Sequence, residues 1–362
     1  VKEYCDGALE FLEHAYDPDR ALFSYSTRVD AEGAPSNDFA HPQTMRYTIN
    51  TLLGLVAARA QGITAAWLGD VDRAALEFVE QHYDALESEA DLGLLLVLLA
   101  RVEPEHPAVA RAIGTVEQAI GRGDAARRFD MQDLAWMLWG AVATERDMRS
   151  EALAHRIFAL IRDKFVHPAS GLPRHRTAAY RRNIVSFGSL VYYLRSTFEY
   201  AERFDDVRAR AMFVRGVERA LAIQGPDGEW PWMLDVRTAV PFDLYPVFTV
   251  HQDSMAMLFL FPAAQLGLPG VEEAIARSLA WNHGRNELST SLVRTEPFFR
   301  VYRSIERDEE HTRLRRYLRG IGPAARGYPA RSRRIRVNDE SRSYHFGWVL
   351  FAWSTRLGAE VA

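Results

Sequence analysis

Six stretches of this 362-residue chain are apolar around most of their circumference, and each opens on polar residues. They begin near Met45 (MRYTINTLLGLVAA), Asp91 (DLGLLLVLLARV), Asp130 (DMQDLAWMLWGAVA), Ser186 (SFGSLVYYLRSTFEYA), His251 (HQDSMAMLFLFPAAQLG) and Arg342 (RSYHFGWVLFAW). Helices of this kind belong inside a protein, where no face meets water. Before each lies an amphipathic stretch suited to an outer position, at 3–15, 70–86, 107–121, 148–165, 206–224 and 270–283. A recurrence every roughly 40–60 residues is the signature of an array. The pattern predicts an all-α chain, a closed double ring of six outer–inner helix pairs. Gly and Pro punctuate the connections, and period-2 alternation is too short anywhere to predict a competing strand.

If the ring closes, one mouth collects the polar starts of the inner helices: Arg46, Tyr47, Asp91, Asp130, Gln132, Asp133, His251, Gln252, Asp253, Tyr344 and His345. Asp38, just ahead of the first inner helix, joins the binding candidates. The connections at 16–23, 166–173 and 224–231 share a plan of proline-set turn, small or polar residues and a returning apolar residue. The stretch from about 286 to 340 is the longest irregular one, and holds TEPFFRVYRS, a charged helix DEEHTRLRRYLRG and the arginine-rich GYPARSRRIRVNDE. Long insertions of this type commonly act as lids or binding loops. Residues 1–362 are therefore expected to form a single ring domain with a lid-like insertion.

Asp130 and Asp133 stand three apart and share a helical face. Asp130 suits an N-cap, with Asp133 in the first turn. Asp133 is also the better catalytic candidate, because the following Leu-Ala-Trp-Met-Leu-Trp would desolvate it. His251 and Asp253 point in different helical directions and would each meet partners across the mouth. His251 reads either as a proton donor or acceptor or as a satisfied loop histidine, and His345 beside Tyr344 offers a second such group. Arg46, and the late arginines Arg331, Arg333, Arg334 and Arg336, have the planar fork that grips carboxylate or phosphate, or else form a solvated patch. Trp230 and Trp232 are either a stacking platform or packing wedges.

A net charge of −4 gives no global attraction to nucleic acid. One cysteine, Cys5, excludes an intrachain disulfide framework and makes a reducing, cytoplasmic setting the default expectation. The start of the chain reads as an amphipathic helix rather than a signal peptide. The most apolar run is too short for a bilayer. No His/Cys/Asp/Glu spacing predicts a metal, and no nucleotide-binding loop or GxSxG elbow occurs, so no cofactor is expected. Oligomeric state is not legible.

The six pairs and their turns resemble the α/α-toroid, or six-hairpin, enzymes over nearly the whole chain. The turn through Gly228-Glu229-Trp230 into an inner helix is similar to those of unsaturated glucuronyl hydrolases and N-acylglucosamine 2-epimerase-like proteins. In the hydrolases an Asp-Asp-x-x-Met motif opens an inner helix and carries the catalytic aspartate. Gln132-Asp133-Leu134-Ala135-Trp136-Met137 resembles it, with Gln132 in place of the first aspartate and the methionine one residue late. The resemblance implies an (α/α)6 toroid in which Asp133 is catalytic.

The implied function is action on an acidic sugar or oligosaccharide by hydrolysis, elimination or epimerisation. Asp133, Asp253, His251 and His345 would supply acid–base groups, with Arg46, Tyr47, Asp130, Gln132, Gln252, Trp230, Trp232 and Tyr344 binding substrate. Gln224 to Trp230 also matches, once, the Q-x-x-x-G-x-W repeat of terpenoid cyclases and prenyltransferases. That alternative expects a closed cavity lined by Trp136, Trp139, Phe187, Tyr192 and Phe259. A third reading is a non-catalytic toroid that binds a glycan or a protein.

Overall fold

The computed structural model describes residues 2–145, 147–308 and 321–361. The outer helices are α1 (Lys2–Ala15), α3 (Val71–His82), α5 (Pro107–Gly121), α8 (Met148–Leu160), α10 (Val207–Ile223) and α12 (Val271–Asn282). The inner ones are α2 (Thr44–Ala60), α4 (Glu89–Val102), α7 (Met131–Ala143), α9 (Phe187–Phe204), α11 (Met257–Gln265) and α13 (Ser343–Val361), with a one-turn α6 (Ala125–Arg128) ahead of α7. The inner helices contact one another in chain order, and α13 packs on both α2 and the start of α11, which closes the ring. Each outer helix from α3 onward packs on the inner helix before it, while α1 covers α13, so the two ends of the chain seal the circle together.

Local chemistry sets the boundaries. Asp70, Ser88, Asp130, Asp147, Ser186 and Asp206 each accept backbone N–H groups at a helix start, satisfying donors that have no partner within the helix. Apolar residues then run without interruption. From Leu94 to Leu99 every side chain is fully buried, each stabilising the fold by about 1.5–3 kcal/mol relative to exposure.

Glycines let the inner helices touch. A Cβ on Gly54 of α2 would lie 2.0 Å from the carbonyl oxygen of Gly347 in α13. One on Gly140 of α7 would lie 2.3 Å from that of Gly93 in α4. Any side chain at these crossings would force the backbones apart.

The structure adds short strands that the sequence pattern does not predict. Ser26–Val29 pairs with Pro35–Asp38 ahead of α2. Ile184–Ser186, Met233–Asp235 and Val240–Asp243 make one three-stranded sheet, and Val247–Phe248, Ser304–Arg307 and Ile335–Asn338 make another. These strands lead into inner-helix starts and rim one end of the ring. The late insertion is stitched to that rim, since its Ser304–Arg307 strand lies beside Val247–Phe248, the approach to His251. The charged segment read as a helix runs from 308 to 320, of which 309–320 lies outside the described residues. No described helix is long and apolar enough to cross a membrane.

Candidate functional site

The rimmed mouth carries two polar clusters. In the first, α2, α4 and α7 bring Arg46, Asp91 and Asp133 together. Arg46 Nε donates to Asp91 Oδ1 at 2.6 Å, and the guanidinium lies 5.0 Å from the centre of the Trp136 ring, a cation–π contact. Asp130 caps α7 by accepting from the backbone N–H groups of Gln132 and Asp133, and Asp133 Oδ2 accepts from Asp130 N at 3.0 Å. This is a reciprocal capping box.

Burial, and next the neighbouring Asp130, push the Asp133 carboxyl up to about 6, against the opposing pull of Arg46 and Arg176. Asp133 therefore titrates in the range where a carboxyl serves as acid or base. Asp130 is flanked by Arg176 at 3.5 Å and His175 at 4.0 Å. Burial drives His175 down to about 4, keeping it neutral.

The second cluster is built around a wide turn at His251–Met255, where Ala256 N reaches back to His251 O at 3.3 Å. Asp253 is fully buried and gathers three donors from distant parts of the chain: His345 Nε2 at 2.7 Å, Asn282 Nδ2 at 2.7 Å and the Tyr4 hydroxyl. The bond from Nε2 to Asp253 orients the His345 ring.

His251 lies among Phe187, Trp232 and Phe248, with ring centroids 5.0, 6.0 and 5.2 Å away. Burial, and then the nearby His345, lower it to about 3. Its Nδ1 has no hydrogen-bond partner among the described residues. The site thus holds a neutral histidine beside a carboxylate-oriented one.

Aromatic rings bridge the clusters. Tyr47 packs on Tyr344 at 4.3 Å and on Tyr25 at 4.8 Å, and Tyr25 stacks on His41 at 3.4 Å. Tyr192 lies 5.0 Å from Trp136. The half-buried Tyr47 and Tyr344 offer flat faces of the type on which sugar rings stack.

Other sequence candidates take structural positions. Trp230 is fully buried, and its indole N–H donates to Ser278 Oγ at 2.8 Å. Gln252 is also fully buried, accepting from Trp230 N at 3.2 Å and donating to Phe248 O at 3.0 Å. Asp38 accepts from Ala40 N at 2.9 Å in a turn at the rim. Gln132 stands half-buried in the first turn of α7. Arg331 pairs with Asp227 at 2.6 Å and Glu229 at 3.2 Å and pins the insertion to the body, while Arg336 pairs with Glu306 at 2.9 Å across two strands of the insertion itself.

Sequence reading missed His175, Tyr4 and Asn282. The first comes from an irregular connection and the others from outer helices, where no local pattern marks them. Among the described residues, no three His, Cys, Asp or Glu side chains cluster as metal ligands.

No family model matches this chain, and no curated protein matches it by sequence. Solved structures do match it in fold. Cellobiose 2-epimerase from Bacillus thermoamylovorans superposes with a TM-score of 0.69 at 13% identity, covering 98% of both chains. An α-1,6-mannanase from Salegentibacter, an inactive variant with two aspartates replaced by asparagine and in complex with α-1,6-mannotriose, gives 0.62 at 11% identity over 98% of this chain and 99% of that one. A family 88 glycosyl hydrolase from Bacteroides vulgatus gives 0.54 at 11% identity over 85% and 91%. These include both enzyme groups that the turn and helix motifs resemble. With six inner and six outer helices closed end to end, the chain has the (α/α)6 toroid fold of the six-hairpin enzymes.

Proposed function

We propose that this chain is a carbohydrate-active enzyme that moves protons at the toroid mouth, and that epimerisation or isomerisation of an aldose or oligosaccharide is its reaction. The observation that carries this reading is the pairing of His345 with Asp253 at 2.7 Å beside the neutral His251. A neutral histidine and a carboxylate-paired one suit the removal of a proton from the carbon next to a sugar carbonyl and its return to the opposite face. One takes the proton and leaves an enediolate; the other, having gained a proton from solvent, donates to the same carbon. Arg46 at the first cluster, and Arg303, 5.4 Å from the Phe248 ring beside His251, are the cations that would serve the developing oxyanion. Tyr47 and Tyr344 would hold the sugar ring by stacking. The likeness in fold to a cellobiose 2-epimerase over almost the full chain agrees with this reading.

An acidic sugar is less well matched than a neutral one. A uronate would compete with Asp91, already bonded to Arg46 Nε, and with Asp133. A neutral hydroxyl or carbonyl oxygen accepts from the guanidinium without displacing either.

A second reading, hydrolysis with Asp133 as general acid, draws on its carboxyl being raised to about 6. Incubating the protein with aldoses and cello- and manno-oligosaccharides in deuterium oxide separates the two. Proton transfer at carbon puts deuterium on the carbon beside the carbonyl, and His345→Asn abolishes the label. New reducing ends without carbon-bound deuterium would support hydrolysis instead and overturn the epimerase reading.

The isoprenoid alternative gains no comparable support. Its cavity residues pack on one another and on Trp348, with Trp136 against Tyr192, Phe187 against Phe259 and Trp139 against Trp348.

A further inference from the structure

A cavity of about 630 Å³ opens on the outside of the ring, between α1, α12 and the hairpin of Val293–Arg294 with Arg300–Val301. Its volume falls in the range of small-molecule sites, about 300–1,000 Å³. The floor is aromatic: Tyr4, Phe299 and Trp353. Tyr4 and Phe299 meet edge to face at 5.4 Å, and Phe299 lies flat on Gly7, where a Cβ would come within 2.4 Å of the ring. Gly7 thus seats the Phe299 ring in the wall. Leu279 and Val293 close the sides.

Polar groups stand at the rim, namely Glu3, His283 and Thr295, and no arginine or lysine is among the lining residues. An aromatic, aliphatic interior with one carboxylate at the edge suits a flat apolar molecule that is neutral or positively charged. It disfavours an anion.

Two of the floor residues are bound to the buried centre of the second cluster. The Tyr4 hydroxyl donates to Asp253 Oδ2, and Trp353 Nε1 donates to the Asp253 backbone carbonyl. Asp253 Oδ1 in turn holds His345 Nε2. Burial and the adjacent Asp253 hold the Tyr4 phenol well above its ordinary range, so it remains a donor. The back of the cavity and the histidine at the mouth thus share one carboxylate.

We propose that this outer-wall cavity binds a small planar aromatic molecule, neutral or cationic, and that the bound molecule acts on His345 through Tyr4 and Asp253. A ligand that shifts the Tyr4 ring alters the donor set of Asp253 and with it the orientation of the imidazole. Tyr4 is a positioning residue in this scheme. The consequence for turnover rests on the acid–base role proposed for His345; binding and the state of the His345 ring do not.

The test uses the full chain, with indole, tryptamine and indole-3-acetate as probes in isothermal titration calorimetry. Indole and tryptamine are expected to bind saturably at one site, with indole-3-acetate weaker by about tenfold or more. Thr295→Trp, at an exposed rim position, fills the entrance, and Leu279→Arg places a charge in the wall; each should abolish binding. In protein labelled at histidine Cε1, tryptamine should shift the His345 resonance, assigned by its loss in His345→Asn. In Tyr4→Phe the probe still binds but the His345 signal stays put. Absence of saturable binding, survival of binding in both cavity variants, or an unmoved His345 signal in the wild type would each overturn the proposal. Turnover that ignores a bound probe which does move the His345 signal would count against the catalytic reading rather than the cavity.

Discussion

The two polar clusters at the mouth are made in opposite ways. At the start of α7, Asp130 and Asp133 satisfy each other's backbone within four residues and keep part of their surface in water. At the wide turn, Asp253 is out of solvent altogether and draws its partners from 249, 29 and 92 positions away in sequence. The first is a local device that any helix start could carry. The second exists only when the ring has closed, because Tyr4 comes from the first helix and His345 from the last. A site that depends on closure ties competence for chemistry to completion of the fold.

If that contrast is right, the largest effect belongs to Asp253. Replacement by Ala strands three buried donors, and a broken buried network of this type typically costs about 3–5 kcal/mol. Urea unfolding should show that loss together with loss of turnover, whereas Asp253→Asn, which keeps the shape, should lose less stability.

Next comes Asp133. Its folded carboxyl is raised above the unfolded value near 3.9 to about 6, so the folded state holds the proton more tightly. The associated stability is fully present below about pH 4 and is lost as pH rises through 6. Asp133→Asn removes that dependence, and at pH 7.5 the variant should be more stable than wild type by about 1–2 kcal/mol, after allowing for solvent screening. Melting curves across pH 4–8 check both the size and the sign. A wild-type curve that gains stability from pH 4 to 6 relative to the variant would mean that Arg46 outweighs burial. The smallest effect is that of Asp130→Ala, which removes an N-cap and should cost about 1 kcal/mol, with little change in the second cluster. Coupling between Asp130→Ala and Asp253→Asn beyond about 0.5 kcal/mol would break the picture of two independent clusters.

The same contrast explains what could be read from the chain. The helix pairs were legible because their signals are local: capping residues at 70, 88, 130, 147, 186 and 206, and uninterrupted burial such as that of α4. The Asp130–Asp133 box follows from a spacing of three. The rim strands left no readable trace, because each spans only two to four residues, and alternation needs more than that to declare itself. His251, Asp253 and His345 were recognisable as polar residues at inner-helix starts. The bond between Asp253 and His345 was not, since a contact across a closing ring has no sequence period. Trp230 remained ambiguous for a related reason: a tryptophan after a turn looks the same whether it faces a ligand or, as here, wedges against Ser278.

The central claim is that the chemistry of this toroid resides with the ring-closing histidines rather than with the local carboxylate pair. The most direct test compares His345→Asn and Asp133→Asn on whichever sugar the wild-type protein turns over, with folding of each variant verified by its melting curve. The account predicts a loss of about 10²–10⁴-fold in kcat for His345→Asn, the usual scale for removing an acid–base group, and a loss of less than about tenfold for Asp133→Asn. The reverse order, with Asp133→Asn inactive and His345→Asn nearly unimpaired, would contradict it and move the catalytic centre to the start of α7.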